Sequence, residues 1–286
     1  MISELSHKYT VKILCNISGV SRSGYYKWIK RQKTITTKDL EDNKIKEIIK
    51  KVYKDYNGRY GDRRITTVLK NDFKININHK RVYRLMKVLG LKSKIRKKKK
   101  YFGSKKDIIE SPNILNRNFK AEKPNQKWVT DITYLKFNNK TLYLSTILDL
   151  FNNEIVSYQI TSNNDIELVM NTVNNAINKR KLSQTILHSD QGHQYTSKYY
   201  NSELSKCDIK LSMSRKGNCL DNAAMESFFS HLKCELMYIN DFKTESEVID
   251  SISDYIYFYN YKRFQKRLNN MAPVEYRSHM TTGVAF

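Results

Sequence analysis

Between residues 127 and 161 three strand-like segments are joined by little more than Asn-Asn pairs, and that spacing constrains the architecture more than any other feature. "KWVTDITYLKF" alternates, with Trp128, Thr130, Ile132 and Tyr134 on one side and Val129, Asp131, Thr133 and Leu135 on the other. A period of two is the mark of a strand. "NN" at 138–139 turns into "KTLYLSTILDLF", and "NN" at 152–153 turns into "EIVSYQIT". Short Asn-rich loops close hairpins, so the three strands run antiparallel. Then come the helix "DIELVMNTVNNAINKR" with Asp165 as its cap, the strand "TILHSD", the helix "SKYYNSELSKC" and the strand "IKLSMS". The loop "RKGNCLDN" leads into the helix "AAMESFFSHLKCELM". This order predicts an α/β fold, a mixed five-stranded sheet with flanking helices.

The N-terminal third shows helical patterns only. Around "SGVSRSGYYKW", Gly19 sits in a turn and Ser21 caps a basic helix ending near Arg31, a helix-turn-helix-like arrangement. Ile45, Ile48, Ile49 and Val52 recur at helical spacing, and two further helices follow in "YGDRRITTVLKNDF" and "NHKRVYRLMKVLGL". Val82, Leu85, Met86 and Leu89 form the buried stripe of the last, with Gly90 as its stop. "KSKIRKKKKYFGSKK" has no apolar period, and Pro112 and Pro124 discourage regular structure beyond it. The expected division is a helical, helix-turn-helix-like region over 1–91, a basic linker over 92–123, a sheet-bearing core over 124–240, and a C-terminal helix and tail over 241–286.

Charge is distributed unevenly. Residues 1–123 hold 34 Lys and Arg against 11 Asp and Glu, a net of +23, whereas the remainder contributes only +1 to the total of +24. Codon bias would act on both halves, so the asymmetry points to a polyanion-binding region with nucleic acid as partner. Arg63, Arg64, Arg81 and Arg84 in the helices, and Arg96, Lys97, Lys98, Lys99 and Lys100 in the linker, are the expected DNA contacts. Arg215 and Lys216, in the loop before the last helix, join them; Arg263, Lys266 and Arg267 are candidates to track a backbone. No apolar run approaches the roughly 20 residues that span a bilayer, and no signal-peptide pattern opens the chain, so a cytoplasmic protein without a membrane partner is expected. Cys15, Cys207, Cys219 and Cys234 lack zinc-type spacing and read as reduced thiols.

Two carboxylates stand where strands make acids costly: Asp131 in mid-strand and Asp190 at a strand end, in "LHSDQGHQYTS". A third lies on the helix that closes the sheet-bearing core. Its apolar stripe is Met225, Phe228, Phe229, Leu232 and Leu236, and Glu226 and Lys233 fall on the shoulder of that stripe, aimed towards the sheet's edge. Three acids together repel unless divalent cations neutralise them, and hard oxygen ligands suit Mg²⁺ or Mn²⁺. A pair of such ions about 4 Å apart can activate a water or a 3′-hydroxyl and stabilise the leaving oxygen, which makes a DNA phosphodiester the expected substrate. Asp149, in "TILDLFNN", reads as a turn or structural acid. His188 and His193 read as hydrogen-bonding or DNA-facing groups, and Trp128 as core.

Asp131 in "WVTDITY", Asp190 in "HSDQGHQY" and Glu226 in "DNAAMESFFSHLKCE" resemble the signature acids of the DDE transposases and retroviral-type integrases. The 35 residues between the second and third acids, and Lys233 seven residues past the glutamate, match that family's spacing. Nearly the whole chain is similar to the second-reading-frame product of insertion sequences of the IS-three family. "YGDRRI…KRVYRLMKVLGL" resembles its helix-turn-helix segment and "YIYFYNYKRFQKRLNNMAPVEY" its closing helix and tail. The resemblance implies an RNase H-like core that cleaves DNA at element ends and transfers the freed 3′-OH into target DNA, with no covalent enzyme–DNA intermediate. It implies that Asp131, Asp190 and Glu226 are catalytic and hold two Mg²⁺ ions, with Mn²⁺ as a substitute. Lys233 would contact DNA near the cleaved end, and Asn222 and Gln191 would support the site or the substrate. The implied partners are double-stranded DNA, further copies of the chain on that DNA, and an upstream-frame helix-turn-helix protein or fusion. The competing reading is a catalytically silent DNA-binding regulator derived from a transposase, against which stand all three acids and Lys233.

Overall fold

Asn138 and Asn139 take φ values of 37° and 59°, the left-handed conformation that a two-residue hairpin demands and Asn tolerates. On either side of them β1 (Lys127–Phe137) and β2 (Lys140–Asp149) pair antiparallel from Phe137↔Lys140 to Trp128↔Asp149. Asn153, with φ 57°, lies in the turn into β3 (Ile155–Thr161), which pairs antiparallel with β2. Beyond two crossover helices, β4 (Thr185–Ser189) and β5 (Ile209–Met213) add in parallel, giving the order β3-β2-β1-β4-β5. The computed structural model describes residues 2–33, 37–94, 112–215 and 219–282, and the chain divides into the units Met1–Ser93 and Lys94–Phe286.

In the first unit, α1 (Ile2–Leu5), α2 (Val11–Ile17) and α3 (Arg22–Lys33) precede α4 (Thr37–Asp55), α5 (Asp62–Asn71) and α6 (His79–Val88). Gly19, at φ 66°, makes the turn between α2 and α3, and the Ser21 hydroxyl accepts from the Gly24 N–H at 3.1 Å. Of the expected stripes, Ile45, Ile49 and Val52 of α4 and Val82, Leu85 and Met86 of α6 are buried and Ile48 and Leu89 half-buried, while α5 buries Ile65, Val68 and Leu69. One acid lies among them. Burial pushes the Asp42 carboxyl up, but Arg84 and Arg81, at 2.5 and 2.8 Å, outweigh it and hold the group below its ordinary value. These two arginines therefore tie α6 to α4, and Arg81 also reaches Glu41 at 3.1 Å.

In the second unit the sheet is covered on both faces, because alternation along β1 divides it between two clusters. Trp128, fully buried, packs with Ile147, Val169, Val173, Leu187 and Tyr200 beneath α7 (Ile166–Lys179) and α8 (Lys198–Ser205). Val129 and Leu135 pack with Leu144, Phe228, Phe229, Leu232 and Tyr255 beneath α9 (Ala223–Leu232) and α10 (Glu245–Tyr261). Asp165 caps α7 as expected, accepting from Leu168 N–H at 3.0 Å. Asp149 is structural: buried, it accepts from the N–H groups of Asn125 and Phe151 at 2.7 and 2.9 Å.

Three features depart from the sequence reading. Residues 112–123, taken as linker, run along this unit: Leu115 is buried in the α9-side core and its N–H donates to Ser212 Oγ at 3.0 Å. The helix bearing Glu226 changes to a π-helical turn at Lys233–Met237, which brings Glu235 inside. Arg263 does not face DNA; it is 2% exposed and forks onto Glu235 at 2.7 and 3.1 Å, with the Tyr255 hydroxyl donating to the same carboxylate at 3.0 Å. A buried guanidinium needs its counter-charge close by, and Glu235 supplies it. The chain closes on α11 (Pro273–Thr282), and among the described residues no helix is long and apolar enough to cross a membrane.

Phe228→Ala is expected to lower the unfolding free energy by about 4 kcal/mol, because it empties a space between α9 and the sheet. Val88→Ala on the exposed side of α6 should change it by less than about 0.5 kcal/mol. Urea midpoints of both variants check the contrast.

Candidate active site

The pairing of β1 with β4 is short, running only from Lys127↔Ile186 to Val129↔His188. Two residues beyond that last pair on each chain lie Asp131 and Asp190. In a parallel pair an equal advance brings side chains to one level on one face, about 5 Å apart across the strands. The two acids therefore stand side by side where β4 stops and β1 continues, at the carboxyl ends of the parallel strands. That is where open α/β sheets place their ligands.

Each carboxylate is anchored by one oxygen. Asp131 Oδ1 accepts from Ile132 N–H at 2.8 Å, and Asp190 Oδ1 accepts from Gly192 N–H at 2.9 Å. The second bond explains the glycine: a Cβ there would lie 3.0 Å from that same oxygen. Burial pushes the Asp131 carboxyl up, the charges of Asp190 and Glu226 push it further, and the Ile132 N–H and Lys233 oppose them; the result is a value of about 7. Asp190 is also raised, by burial against the Gly192 N–H. Among the described residues neither aspartate has an ion-pair partner.

Glu226 comes from the first turn of α9, whose Met225, Phe228 and Phe229 are buried in the core while Glu226 itself is exposed. Lys233, at the end of the same helix, holds its ammonium 4.4 Å from the centre of the Tyr134 ring. The sheet, the β4 loop and α9 thus bring Asp190, Glu226 and Lys233 within electrostatic reach of Asp131. Among the described residues, no group of three or more His, Cys, Asp or Glu side chains is arranged to hold a metal ion. The donor chemistry nevertheless suits a hard cation: carboxylate oxygens, mutual repulsion, and no cation paired to either aspartate.

The start of α9 is fixed by Asp221, Arg117 and Asn113, which the sequence reading did not single out, together with Arg215, which it took for a DNA contact. Asp221 is fully buried. Its carboxylate takes the Arg215 guanidinium (Nε and Nη2) and the Arg215 N–H at 3.0 Å each, Arg117 Nε at 2.8 Å and Asn113 Nδ2 at 3.0 Å. The Arg215 side chain, chief among these, holds the Asp221 carboxyl well below the usual carboxylate range. Partners 104 and 108 positions away along the chain leave no periodic signature; only the acid at a helix start hinted at a role. The next residue, Asn222, is buried; its Nδ2 donates to Thr130 O at 3.3 Å and its Oδ1 has no partner among the described residues.

The remaining expected residues are distributed as follows. Arg215 is engaged with Asp221 and Arg81 and Arg84 with Asp42, as above. Arg63 is exposed on α5, and Arg64 lies 5.6 Å from the centre of the Tyr60 ring. Gln191 is half-buried beside Asp190, and His193 is exposed. His188 is buried between Ser212 Oγ and Ser214 Oγ at 2.9 and 3.0 Å, and burial lowers its pKa to about 4, so it bonds as a neutral ring. Lys216 and Arg96, Lys97, Lys98, Lys99 and Lys100 lie outside the described residues.

Comparison with known proteins shows the family. Family models described as "Integrase core domain" match residues 121–219 and 226–280, and one described as "HTH-like domain" matches residues 40–99. The chain is 40% identical over 280 residues to the putative transposase InsK for insertion sequence element IS150 of Escherichia coli (strain K12), covering 97% of both chains. It is 45% identical to an uncharacterized transposase-like protein of Haemophilus influenzae, over 71% of this chain and 94% of the relative. It is 40% identical to the transposase for insertion sequence element IS904 of Lactococcus lactis, over 84% of this chain and 96% of the relative.

Two predictions follow from the charges. In metal-free protein the native state holds the Asp131 proton up to about pH 7, whereas the unfolded chain releases it near 3.8. This group's contribution to stability is therefore lost as pH rises between those values. Asp131→Asn should melt higher than the unsubstituted protein at pH 8 in chelator, with the gap closing at acid pH; an equal gap at both would contradict the geometry. Asp221 has the opposite sign: its stabilisation is present above the ordinary carboxyl value and lost on acidification. Asp221→Asn should lower Tm at neutral pH by roughly 5 °C and speed amide exchange at the start of α9.

Proposed function

From its membership of the IS150/IS3 group of insertion-sequence transposases, which this chain shares along almost its whole length, we propose that Asp131, Asp190 and Glu226 are the catalytic and metal-holding residues of a DNA transposase. The reaction is cleavage of DNA at the ends of an insertion sequence, followed by transfer of the freed 3′-OH into target DNA. One observation carries the reading: the Asp131 carboxyl responds to Asp190 and Glu226 together. The charges of two acids from separate elements act on Asp131 at the carboxyl end of the sheet, an electrostatic cost that cations would relieve.

The three carboxylates would hold Mg²⁺, or Mn²⁺ in its place, as two ions. Bound there, such ions supply Lewis acidity to the scissile phosphate and activate the attacking water or 3′-hydroxyl. The chain's own groups do the rest. The Ile132 and Gly192 N–H groups orient the two aspartates and leave the second oxygen of each for the cation. Lys233, close to Asp131 and poised over Tyr134, meets the phosphate next to the cleaved bond. Asn222 supports the strand carrying Asp131 through Thr130 O. The basic helices of 1–91 and the lysine-rich stretch after them neutralise backbone phosphates and hold the duplex. The protein acts in the cytoplasm on the bacterial nucleoid, as several copies on paired ends, with or without an upstream-frame helix-turn-helix partner.

Alanine at Asp131, Asp190 or Glu226 should each reduce Mg²⁺-dependent strand transfer by at least about a hundredfold while DNA affinity stays within a factor of about two. Strand-transfer and filter-binding assays on the same preparations decide it. Transfer retained by any one variant would overturn the assignment. DNA binding by the unsubstituted protein without nicking at any Mg²⁺ concentration would favour the silent regulator.

A further inference from the structure

At the opposite end of the parallel strands from the acids lies a hollow of about 400 Å³. It is formed where the chain enters β1, β4 and β5. Four of its ten lining residues are lysines, Lys123, Lys127, Lys181 and Lys210, and none is an acid. Three carboxylates touch residues of the wall from outside it: Glu122, which acts on Lys127, Asp149, whose Oδ2 accepts from Asn125 N–H at 2.7 Å, and Asp208, whose Oδ2 accepts from Gln184 N–H at 2.8 Å.

The four lysines are not equivalent. Lys127 is half-buried and fixed: its ammonium donates to the carbonyls of Asn118 and Lys120 at 2.9 and 2.8 Å, and burial lowers its pKa. Lys123, Lys181 and Lys210 are exposed at the rim. Lys210 alone would pass for the lysine that stops an edge strand such as β5 from pairing with another sheet. That explanation does not cover the other three, which come from two further segments and converge on one concavity. Asn125, also in the wall, has a buried side-chain oxygen without a partner among the described residues. An Asn amide turned over would present an N–H₂ donor at that position. A concave surface with several ammonium groups and amide donors, and no acid, suits a phosphate group.

Resting on the function proposed above, we infer that this hollow seats the phosphodiester backbone of DNA away from the bond that is cut. Lys127 and Asp131 lie four residues apart on β1, about 13 Å at the rise of a strand. At about 3.4 Å between phosphates along one strand, a duplex reaching the acids needs some four further base pairs to reach the hollow. The site therefore lengthens the DNA footprint without touching the reacting phosphate. Lys123, Lys181 and Lys210 are its contacts, and Lys127 is the fixed charge behind them.

The test uses the full chain with Asp131→Ala, in chelator, so that catalysis does not enter the result. Affinity for a long element-end duplex is measured as a function of salt, with and without Lys181→Gln and Lys210→Gln together. Two lost phosphate contacts should lower the slope of log affinity against log salt by about 1.8, which is roughly a 30-fold weaker complex at 0.15 M salt. Lys123→Gln alone should lower the slope by about half as much. A duplex cut short of the hollow should bind all variants alike. An unchanged slope on the long duplex, with Tm unaltered, overturns the proposal. So does protection of Lys181 and Lys210 from acylation by inorganic phosphate but not by the long duplex, which would make this a small-anion site. Loss of strand transfer by the acid variants is measured separately, so the hollow and the catalytic assignment stand or fall independently.

Discussion

The site depends on a ladder of three residue pairs and on the packing that fixes it. β1 and β4 are in register only over Lys127–Val129, and the two acids project just past the end of that ladder. Bringing two carboxylates side by side in a half-buried place is unfavourable, and the Ile132 and Gly192 N–H groups and Lys233 offset that only in part. What holds them is the packing on either side: Trp128, Leu187 and Tyr200 on one face of the sheet, Val129, Leu144 and Phe228 on the other. Apolar burial of this extent contributes far more than the repulsion of a few charges costs. The rise in the Asp131 pKa is the visible trace of that imbalance. A rigid scaffold lets the site keep a charge arrangement that would not persist by itself.

The helix that brings the third acid is secured by the same device at both ends. Before α9, buried Asp221 is gripped by Arg215 and Arg117; after it, buried Glu235 is gripped by Arg263. In the other unit buried Asp42 is gripped by Arg81 and Arg84. Planar guanidinium groups match a carboxylate with two donors at once and are weakly hydrated, so arginine does this work where lysine would not. The lysines around the distal hollow are used differently, as a field of point charges facing solvent. Asp221 also fastens the segment 112–117 to the start of α9, so the chain emerging from the basic stretch is joined to the helix carrying Glu226.

Much of this was legible in the sequence because it depends on local rules. Alternation and Asn-Asn turns gave the three antiparallel strands, Asp165 and Ser21 marked helix starts, and the helical stripes named the buried faces. Asp149 proved to be a turn acid and Trp128 a core residue, as their surroundings suggested. Arg263 was misread because a cation in a Tyr-rich stretch looks like a surface contact until its distant partner is known. Residues 112–123 were misread because proline and polarity suggest a linker, yet Leu115 fills a gap between the sheet and α9. The π-helical turn at Lys233–Met237 leaves no mark in the pattern, since an apolar stripe tolerates one extra residue.

By itself the sequence determined the order and type of the elements, the asymmetric charge and the three candidate acids, because backbone geometry, side-chain periodicity and charge are properties of neighbouring residues. Only the tertiary structure decided which acids share a field, which arginines are committed to buried partners, and where lysines from three separate segments meet. Those are long-range electrostatic and packing facts. They depend on which chain segments the apolar core brings together, and no spacing along the polymer encodes that distance.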